Sequence, residues 1–189
     1  MKEIEIKVQL NLDEYKQLPL RSSALSFAEM KHLRETDIYF NGNDHSFLKT
    51  DEALRLRQTI DLDSGEACTF ITYKGPKLDN FTQSRDEIET SIGDFDCMRA
   101  ILNKLGYPEV LTVEKTRRYF RAKDITLCLD EVSELGYFLE LETLIDSINQ
   151  TEKDAAIGRL MNLLYKLEIS QDRLIRKSYL ELKIESLMS

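Results

Sequence analysis

Charged side chains recur at every second position in several segments of the 189-residue chain. Glu3, Glu5 and Lys7 alternate with isoleucines, and Arg55 and Arg57 alternate with leucines. Because residues i and i+2 of a β-strand project from the same face, each segment predicts a strand with one ionic and one apolar face. The same pattern recurs around Arg85, Glu87 and Glu89, around Lys115 and Arg117, around Asp130, and around Glu140 and Glu142.

The recurrence of this pattern separates it from an ordinary exposed sheet face. A single Glu-x-Glu-x-Lys segment is typical of a solvated strand, where serine, threonine, glutamine and asparagine are equally acceptable. Here about six or seven segments carry ions of both signs at the positions that share a face. A salt-bridged outer face stays open as the alternative, but an enclosed ionic surface is favoured.

An enclosed ionic surface needs a charged ligand, because unpaired ions inside a protein are costly. A polyanion such as a triphosphate fits the cations, which are Lys7, Arg55, Arg57, Lys74, Arg85, Lys115 and Arg117. Carboxylates on the same face would repel phosphates unless divalent cations lay between them. These carboxylates are Glu3, Glu5, Glu87, Glu89, Asp130, Glu140 and Glu142. We therefore expect Mg²⁺ or Mn²⁺ beside the phosphates.

The elements that position these residues are mostly strands. Strands are predicted at about 2–10, 33–40, 53–62, 66–75, 82–91, 111–121, 125–132 and 136–145. Short connections at 63–65, 123–124 and 134–136 predict antiparallel neighbours. The expected fold class is α+β, with a closed antiparallel eight-stranded β-barrel whose interior is charged, and with helices packed outside. One domain is predicted to span residues 1–189.

Helical periodicity appears in four places. The predicted helices cover 13–18, ended by Pro19; 95–105, between an Asp94 cap and Gly106; 151–167; and about 172–187. The apolar stripe from Ile157 to Leu167 is interpreted as core packing, and a homodimer contact is the alternative.

Composition disfavours several classes of partner. The net charge of -8 argues against a general binder of nucleic acid or membrane surfaces, which would carry a basic face. No apolar run approaches the roughly 20 residues of a membrane span, and a strand pattern at the first residues leaves no room for a signal peptide. Three widely separated cysteines predict reduced thiols. We expect a cytoplasmic protein that binds neither nucleic acid nor membranes.

The order of the charged motifs resembles the CYTH superfamily, also called the triphosphate tunnel metalloenzymes. The matching motifs are EIEIK at 3–7, ETDIYF at 35–40, ALRLR at 53–57 and TYKGP at 72–76. Four further segments resemble the class IV adenylyl cyclase branch: SRDEIET at 84–90, VEKTR at 113–117, LCLDEVSELGYFLELE at 127–142 and KSYLEL at 177–182. Ser133-Glu134 stands where that branch has Glu-Gly, which predicts an altered turn.

The resemblance implies a tunnel in which ATP or another triphosphate binds with a divalent metal. The seven cations would bind phosphate, and Lys115, Arg117 and Asp130 are the predicted catalytic residues. The expected metal ligands are Glu3, Glu5, Glu140 and Glu142, with Asp130, Glu87 and Glu89 as further candidates.

The reaction that this branch implies is conversion of ATP to cyclic AMP and pyrophosphate. Two alternatives stay open: a triphosphatase acting on inorganic triphosphate, thiamine triphosphate or a nucleotide, and a non-catalytic protein that binds nucleotides or polyphosphate. If the interior cations repel one another, Arg57→Ala should weaken triphosphate binding and stabilise the ligand-free fold.

Overall fold

The computed structural model describes residues 2–77, 85–145 and 150–188, which form a curled antiparallel sheet packed against helices. The strands are β1 (Lys2–Leu10), β2 (Ala28–Phe40), β3 (Ala53–Asp61), β4 (Ala67–Lys74), β5 (Glu87–Ile92), β6 (Glu109–Ala122), β7 (Ile125–Val132) and β8 (Gly136–Ile145). The helices are α1 (Leu12–Ala24), α2 (Phe47–Thr50), α3 (Phe95–Lys104), α4 (Gln150–Lys166) and α5 (Tyr179–Met188), and a 3-10 turn spans Gln171–Arg173.

The eight strands form one open sheet in the order β1-β8-β7-β6-β2-β3-β4-β5. The predicted closed barrel is wrong, because β1 and β5 are edges that do not pair with each other in the described part of the chain. Both edges carry glutamates on the concave face, Glu3 and Glu5 on β1 and Glu87 and Glu89 on β5. Burial and the nearby Glu87 raise the pKa of Glu3, which reflects this repulsion. Joining the edges would bring like charges still closer, so the sheet stays a half-barrel.

The alternation along the strands separates an apolar convex face from an ionic concave face. On the convex side, α1 and α4 cover β1, β7 and β8, burying Ile4, Leu129 and Leu141 against Leu160 and Leu164 of α4. Helix α3 covers β2 and β3 in a separate cluster built on Ile38, Leu56 and Leu102. Because successive side chains of a strand point to opposite faces, packing these apolar residues on the convex face places the charged residues on the concave face.

Helix α5 closes one end of the concave face. Its first residues, Tyr179 and Leu180, are buried with Tyr39, Val113 and Phe138 from three different strands. The tail reaches this position along β1, where Leu174 forms a β-bridge with Val8 and the Ile175 N–H donates to the Lys7 carbonyl at 2.8 Å. This extended pairing explains why the helix predicted from about residue 172 is interrupted and resumes only at Tyr179.

Helix α1 continues to Ala24, five residues beyond the predicted stop at Pro19. Asn11 and Glu14 begin it with reciprocal side-chain-to-backbone hydrogen bonds of 2.8 and 2.9 Å. Leu18 and Ser22 are both fully buried, on either side of the proline. Tertiary packing therefore outweighs the hydrogen bond that proline removes from the helix interior.

The remaining predicted helices are confirmed within a few residues. Asp94 accepts the Cys97 N–H at the start of α3, and Gly106, with φ +87°, follows its last turn. The stripe from Ile157 to Leu167 packs against the sheet as predicted. Strand β5 begins at Glu87, and residues 82–84 of its predicted range lie outside the described residues. No helix in the described ranges is long and apolar enough to cross a membrane.

The turn between β7 and β8 generates a stability prediction. Glu134 adopts φ +67°, in the left-handed region that glycine tolerates and that costs other residues roughly 1–2 kcal/mol. Its ion pair with Lys183 at 3.3 Å contributes little, because the Glu134 side chain is 68% exposed to solvent. We expect Glu134→Gly to raise the free energy of unfolding by about 0.5 kcal/mol, after the greater unfolded-state entropy of glycine is subtracted.

Urea denaturation measures this difference, and Ser133→Gly is the matched control. Ser133 lies in the same turn but outside the positive-φ region, so its replacement should lower stability. A larger loss in Glu134→Gly than in Ser133→Gly would contradict the assignment of strain to residue 134.

Candidate active site

The concave face surrounds an ionic cavity of about 250 Å³. All seven predicted cations and six of the seven predicted carboxylates line it, namely Lys7, Arg55, Arg57, Lys74, Arg85, Lys115, Arg117, Glu3, Glu5, Glu87, Glu89, Glu140 and Glu142. Asp130 does not line this cavity and is fully buried. The period-2 pattern therefore identified one shared surface across the described strands.

Three carboxylates converge on one another across β1 and β8. Glu3, Glu5 and Glu142, which we call the carboxylate trio, each offer an oxygen, and these three oxygens lie within 4.8 Å of one another. Glu5 and Glu142 are direct register partners, and Glu3 lies two residues before Glu5 on the same face of β1. Glu5 Oε1 is buried without a hydrogen-bond partner. Lys7 and Arg117 approach Glu5 and Glu142 only to 3.9 Å, so this set of hard oxygen donors fits a divalent cation.

The protonation behaviour of the trio agrees with that fit. Burial and Glu140 raise the pKa of Glu5 to about 7. Burial and Glu3 raise the pKa of Glu142 well above its ordinary value. Three carboxylates this close cannot all be charged without cost, and either protons or a cation must offset the repulsion.

Arg117 organises the wall formed by β6, β7 and β8. Its Nε donates to Asp130 Oδ1 at 2.6 Å, and its Nη2 contacts both Asp130 and Glu140. The Tyr179 hydroxyl donates to Asp130 Oδ2 at 2.6 Å, so both oxygens of Asp130 are engaged. The structure thus places Asp130 behind Arg117 and outside the carboxylate trio, which does not fit its prediction as a direct metal ligand.

Glu140 is likewise paired with cations. Lys7 Nζ lies 2.9 Å from Glu140 Oε1, and Arg117 contacts the other oxygen. Burial alone would raise the pKa of Glu140, but Arg117 and Lys7 hold it well below its ordinary value. Glu140 therefore keeps the two cations in place, whereas Lys7 and Arg117 lie 3.9 Å from Glu5 and Glu142 of the trio and compensate those carboxylates only weakly.

Two buried carboxylates of β2 were not among the predicted site residues. Glu35 and Asp37 are 0% and 1% exposed. Arg57 donates to the two Asp37 oxygens at 2.6 and 2.7 Å and lies 3.1 Å from Glu35, while Lys115 Nζ lies 3.0 Å from Glu35. Against burial, Arg57 and Lys115 lower the pKa of Glu35 to about 2 and that of Asp37 well below its ordinary range. The same period-2 pattern contained the signal for both residues.

These pairs overturn the expectation that Arg57→Ala stabilises the ligand-free fold. Arg57 is surrounded by Asp37 and Glu35, so the dominant interaction at this position is attraction. Removing the guanidinium would leave two buried carboxylates with Lys115 as their principal remaining partner. Breaking a buried ion pair from one side typically costs about 3–5 kcal/mol.

The wall formed by β3, β4 and β5 presents cations with spare hydrogen-bonding capacity. Arg55 Nη2 donates to Thr72 Oγ1 at 3.2 Å, and Thr72 donates to Glu89 at 2.7 Å. Arg55 Nε is buried without a partner. Lys74 donates to Glu87 at 2.5 Å, yet burial and Arg55 lower the pKa of Lys74. A buried donor that lacks an acceptor and a lysine crowded by another cation both favour an added anion.

The carboxylate trio generates a prediction about pH and metal. Because the folded-state pKa of Glu5, about 7, lies above its ordinary value of 4.5, the folded protein binds this proton more tightly than the unfolded chain. Ionised Glu5 therefore lowers the free energy of unfolding by its full amount above about pH 7, and this penalty disappears as the pH falls toward about 4.5. At pH 8 without metal, we expect Glu5→Gln to be more stable than the wild type by about 2 kcal/mol.

Urea denaturation at pH 8 and pH 5 tests this, with Glu131→Gln, an exposed carboxylate on the same sheet, as control. The advantage of Glu5→Gln should shrink at pH 5, and Mg²⁺ should raise the melting temperature of the wild type more than that of Glu5→Gln. Equal stability of wild type and Glu5→Gln at both pH values would refute the proposed repulsion.

Comparison with known proteins gives a consistent match over almost the whole chain. The family model described as the CYTH domain matches residues 1–179. A Methanocaldococcus jannaschii protein named "Putative adenylate cyclase" is 43% identical over 180 residues, covering 95% of this chain and 98% of that protein.

Solved structures extend the match to the fold. A Pyrococcus horikoshii OT3 protein is 38% identical, with a TM-score of 0.86, and the alignment covers 97% of this chain and 99% of that one. A Hippeastrum protein described as a "Putative adenylyl cyclase" that reveals a dominant triphosphatase activity is 16% identical. Its TM-score is 0.64 over 99% of this chain and 96% of its own, which is a likeness of fold.

Proposed function

The chain belongs to the CYTH domain family, and from that premise we propose that it converts ATP to cyclic AMP and pyrophosphate with a bound divalent cation. The observation that carries the proposal is the ionic cavity, where seven cations able to bind phosphate adjoin a carboxylate trio that fits a divalent cation. The adenylate cyclase name of the relative at 43% identity supports ATP as the substrate.

The cations of the cavity would hold the triphosphate chain. Lys7 Nζ and Lys115 Nζ lie 4.0 and 5.3 Å from the centroid of the Tyr179 ring in α5, and Arg85 donates to the Asp51 carbonyl beside α2 at 3.3 Å. Most of the cations already have carboxylate partners, which offsets the cost of burying them when no ligand is bound. Phosphate oxygens would take the remaining donors, including the unpartnered Nε of Arg55.

In the proposed reaction the 3′ oxygen of the ribose bonds to the α-phosphorus, and the bond from that phosphorus to the α,β-bridging oxygen breaks. Pyrophosphate leaves with the electron pair, and the hydroxyl proton is released. Arg117 and Lys115 would stabilise the charge that develops on the phosphates, since their carboxylate partners fix them in place. Asp130 would act as a positioning residue through Arg117.

Glu3, Glu5 and Glu142 are our proposed ligands for Mg²⁺ or Mn²⁺. When bound, a divalent cation supplies charge neutralisation and Lewis-acid polarisation of phosphate oxygens. Glu87, Glu89 and Glu140 have cationic or hydroxyl partners of their own, so we assign them to holding Lys74, Arg55 and Lys7.

Hydrolysis of a triphosphate is the second candidate, because the ionic cavity is lined for a triphosphate chain whatever that chain carries. Water would then attack a terminal phosphorus, and inorganic triphosphate or thiamine triphosphate would serve as well as ATP. The activity described for the Hippeastrum protein is of this kind. Binding without catalysis is the third candidate, and the cytoplasmic location and the homodimer stay predictions.

One assay separates the three candidates. Purified protein is incubated with Mg²⁺ or Mn²⁺ and with ATP, inorganic triphosphate or thiamine triphosphate, and cyclic AMP, pyrophosphate and phosphate are quantified. We expect cyclic AMP and pyrophosphate in equal amounts from ATP. Phosphate without cyclic AMP would refute the cyclase proposal in favour of hydrolysis, and tight binding without turnover would favour the binding protein.

The metal ligands are tested by a matched pair of variants. Glu142→Gln should lower kcat by about 100-fold or more, because loss of several kcal/mol of charge stabilisation reduces a rate by a factor of ten per 1.36 kcal/mol. Glu114→Gln, which changes an exposed carboxylate of β6, should leave kcat within about twofold. Activity of Glu142→Gln equal to that of Glu114→Gln would exclude Glu142 as a ligand.

A further inference from the structure

The half-barrel has a second opening whose chemistry differs from that of the ionic cavity. This cavity, of about 640 Å³, shares Arg57, Glu89, Tyr119 and Glu142 with the ionic cavity, so the two are adjacent along the concave face. Among its lining residues are Met30, Leu33 and Phe70. We call this opening, with Met30, Leu33, Phe70 and Tyr119 on its walls, the apolar mouth.

Local backbone structure directs Met30 to this rim. The pairing of β2 with β6 shifts register between Glu29 and Lys31, which leaves Met30 outside the ladder. Its side chain is 61% exposed. Bulges at the rims of barrels commonly re-aim a side chain next to a ligand site. An exposed methionine beside a cavity is a surface that a planar apolar group can cover.

Phe70 lies on the wall of the apolar mouth beside one of the phosphate-binding cations, Arg57. It is the register partner of Arg57 across β3 and β4, and it projects to the same concave face as Thr72 and Lys74. Phe70 is only partly buried, so ring surface stays available. Tyr119 lines both cavities and donates its hydroxyl to Glu35 at 2.9 Å, which holds its ring in place.

The charge distribution sets the direction of a bound triphosphate. Seven cations line the ionic cavity, whereas the apolar mouth has three, Lys31, Arg57 and Arg121, beside the carboxylates of Glu35, Asp61, Glu66, Glu89 and Glu142. A triphosphate is therefore attracted more strongly to the ionic cavity. Glu142 of the carboxylate trio lines both. With the phosphates on the seven cations of the ionic cavity, the group attached to the α-phosphate would extend toward the apolar mouth.

We propose that the apolar mouth binds the nucleobase of a nucleoside triphosphate, with Phe70 and Met30 contacting the ring. Thr59, Thr126 and Glu66 on the same lining offer hydrogen-bonding groups to the ring edge. This inference rests on the proposed function only in requiring a triphosphate in the ionic cavity, and it is independent of whether that triphosphate is cyclised or hydrolysed.

The test compares a ligand that has a base with one that lacks it. Dissociation constants for ATP and for inorganic triphosphate are measured by calorimetry with Ca²⁺ in place of Mg²⁺, since the larger ion coordinates more loosely and slows turnover. The variants are Phe70→Ala, Phe70→Leu, Met30→Ala, and the control Ile88→Ala, which changes a residue of β5 that is 72% exposed and lines neither cavity.

Phe70→Ala should weaken ATP binding about tenfold, because stacking of a base on an aromatic ring contributes on the order of 1–3 kcal/mol. Binding of inorganic triphosphate should change by less than about twofold, which also shows that the variant is folded. Phe70→Leu should recover part of the loss, Met30→Ala should show a smaller loss, and Ile88→Ala should show none.

Two results would overturn the proposal: equal losses for ATP and inorganic triphosphate in Phe70→Ala, or a loss of ATP affinity in Ile88→Ala as large as the loss in Phe70→Ala. The proposal would also be overturned if the wild type bound ATP no more tightly than inorganic triphosphate and Phe70→Ala had no effect. A Phe70-dependent affinity for ATP without cyclic AMP formation would instead refute cyclisation and support the base site.

Discussion

Desolvation of charge on the concave face is the constraint on which the rest of the structure depends. Lys7, Lys115, Arg117, Asp37 and Glu140 are each less than one-tenth exposed, and none could be charged there without a partner. The strands satisfy this requirement in pairs across the sheet, such as Arg57 with Asp37 and Arg117 with Asp130. The carboxylate trio is the part of this network that lacks sufficient positive charge, and this imbalance is what makes it a metal site.

The same electrostatics accounts for the shape of the sheet. Glutamates on both edge strands oppose closure, and the tail covers the later part of β1 through Leu174 and Ile175 instead. Helix α5 then brings Tyr179 under Lys7, whose Nζ lies 4.0 Å from the ring centroid, and against Asp130. The C-terminal segment is thus part of the ionic network, and the open edge leaves the interior accessible.

The concave surface could be predicted from sequence because period-2 alternation is a local property of each strand. It placed thirteen of the fourteen predicted charges on one cavity, since Asp130 alone does not line it. Glu35 and Asp37 carried the same signal and became evident as site residues only through Arg57, which lies across a strand pairing. Three other features depend on tertiary contacts, which no local pattern contains. They are whether the edge strands of the sheet pair with each other, the continuation of α1 through Pro19, and the position of Asp130.

The central claim is that Glu3, Glu5 and Glu142 bind a divalent cation beside a triphosphate held by the surrounding cations. The most direct measurement is anomalous X-ray scattering from crystals grown with Mn²⁺ and inorganic triphosphate. The account predicts an anomalous peak coordinated by oxygens of all three glutamates, with triphosphate oxygens near Arg57, Lys115 and Arg117. The account would be contradicted if triphosphate bound in the ionic cavity while the anomalous peak of Mn²⁺ lay elsewhere, or while no such peak lay within coordination distance of the three glutamates.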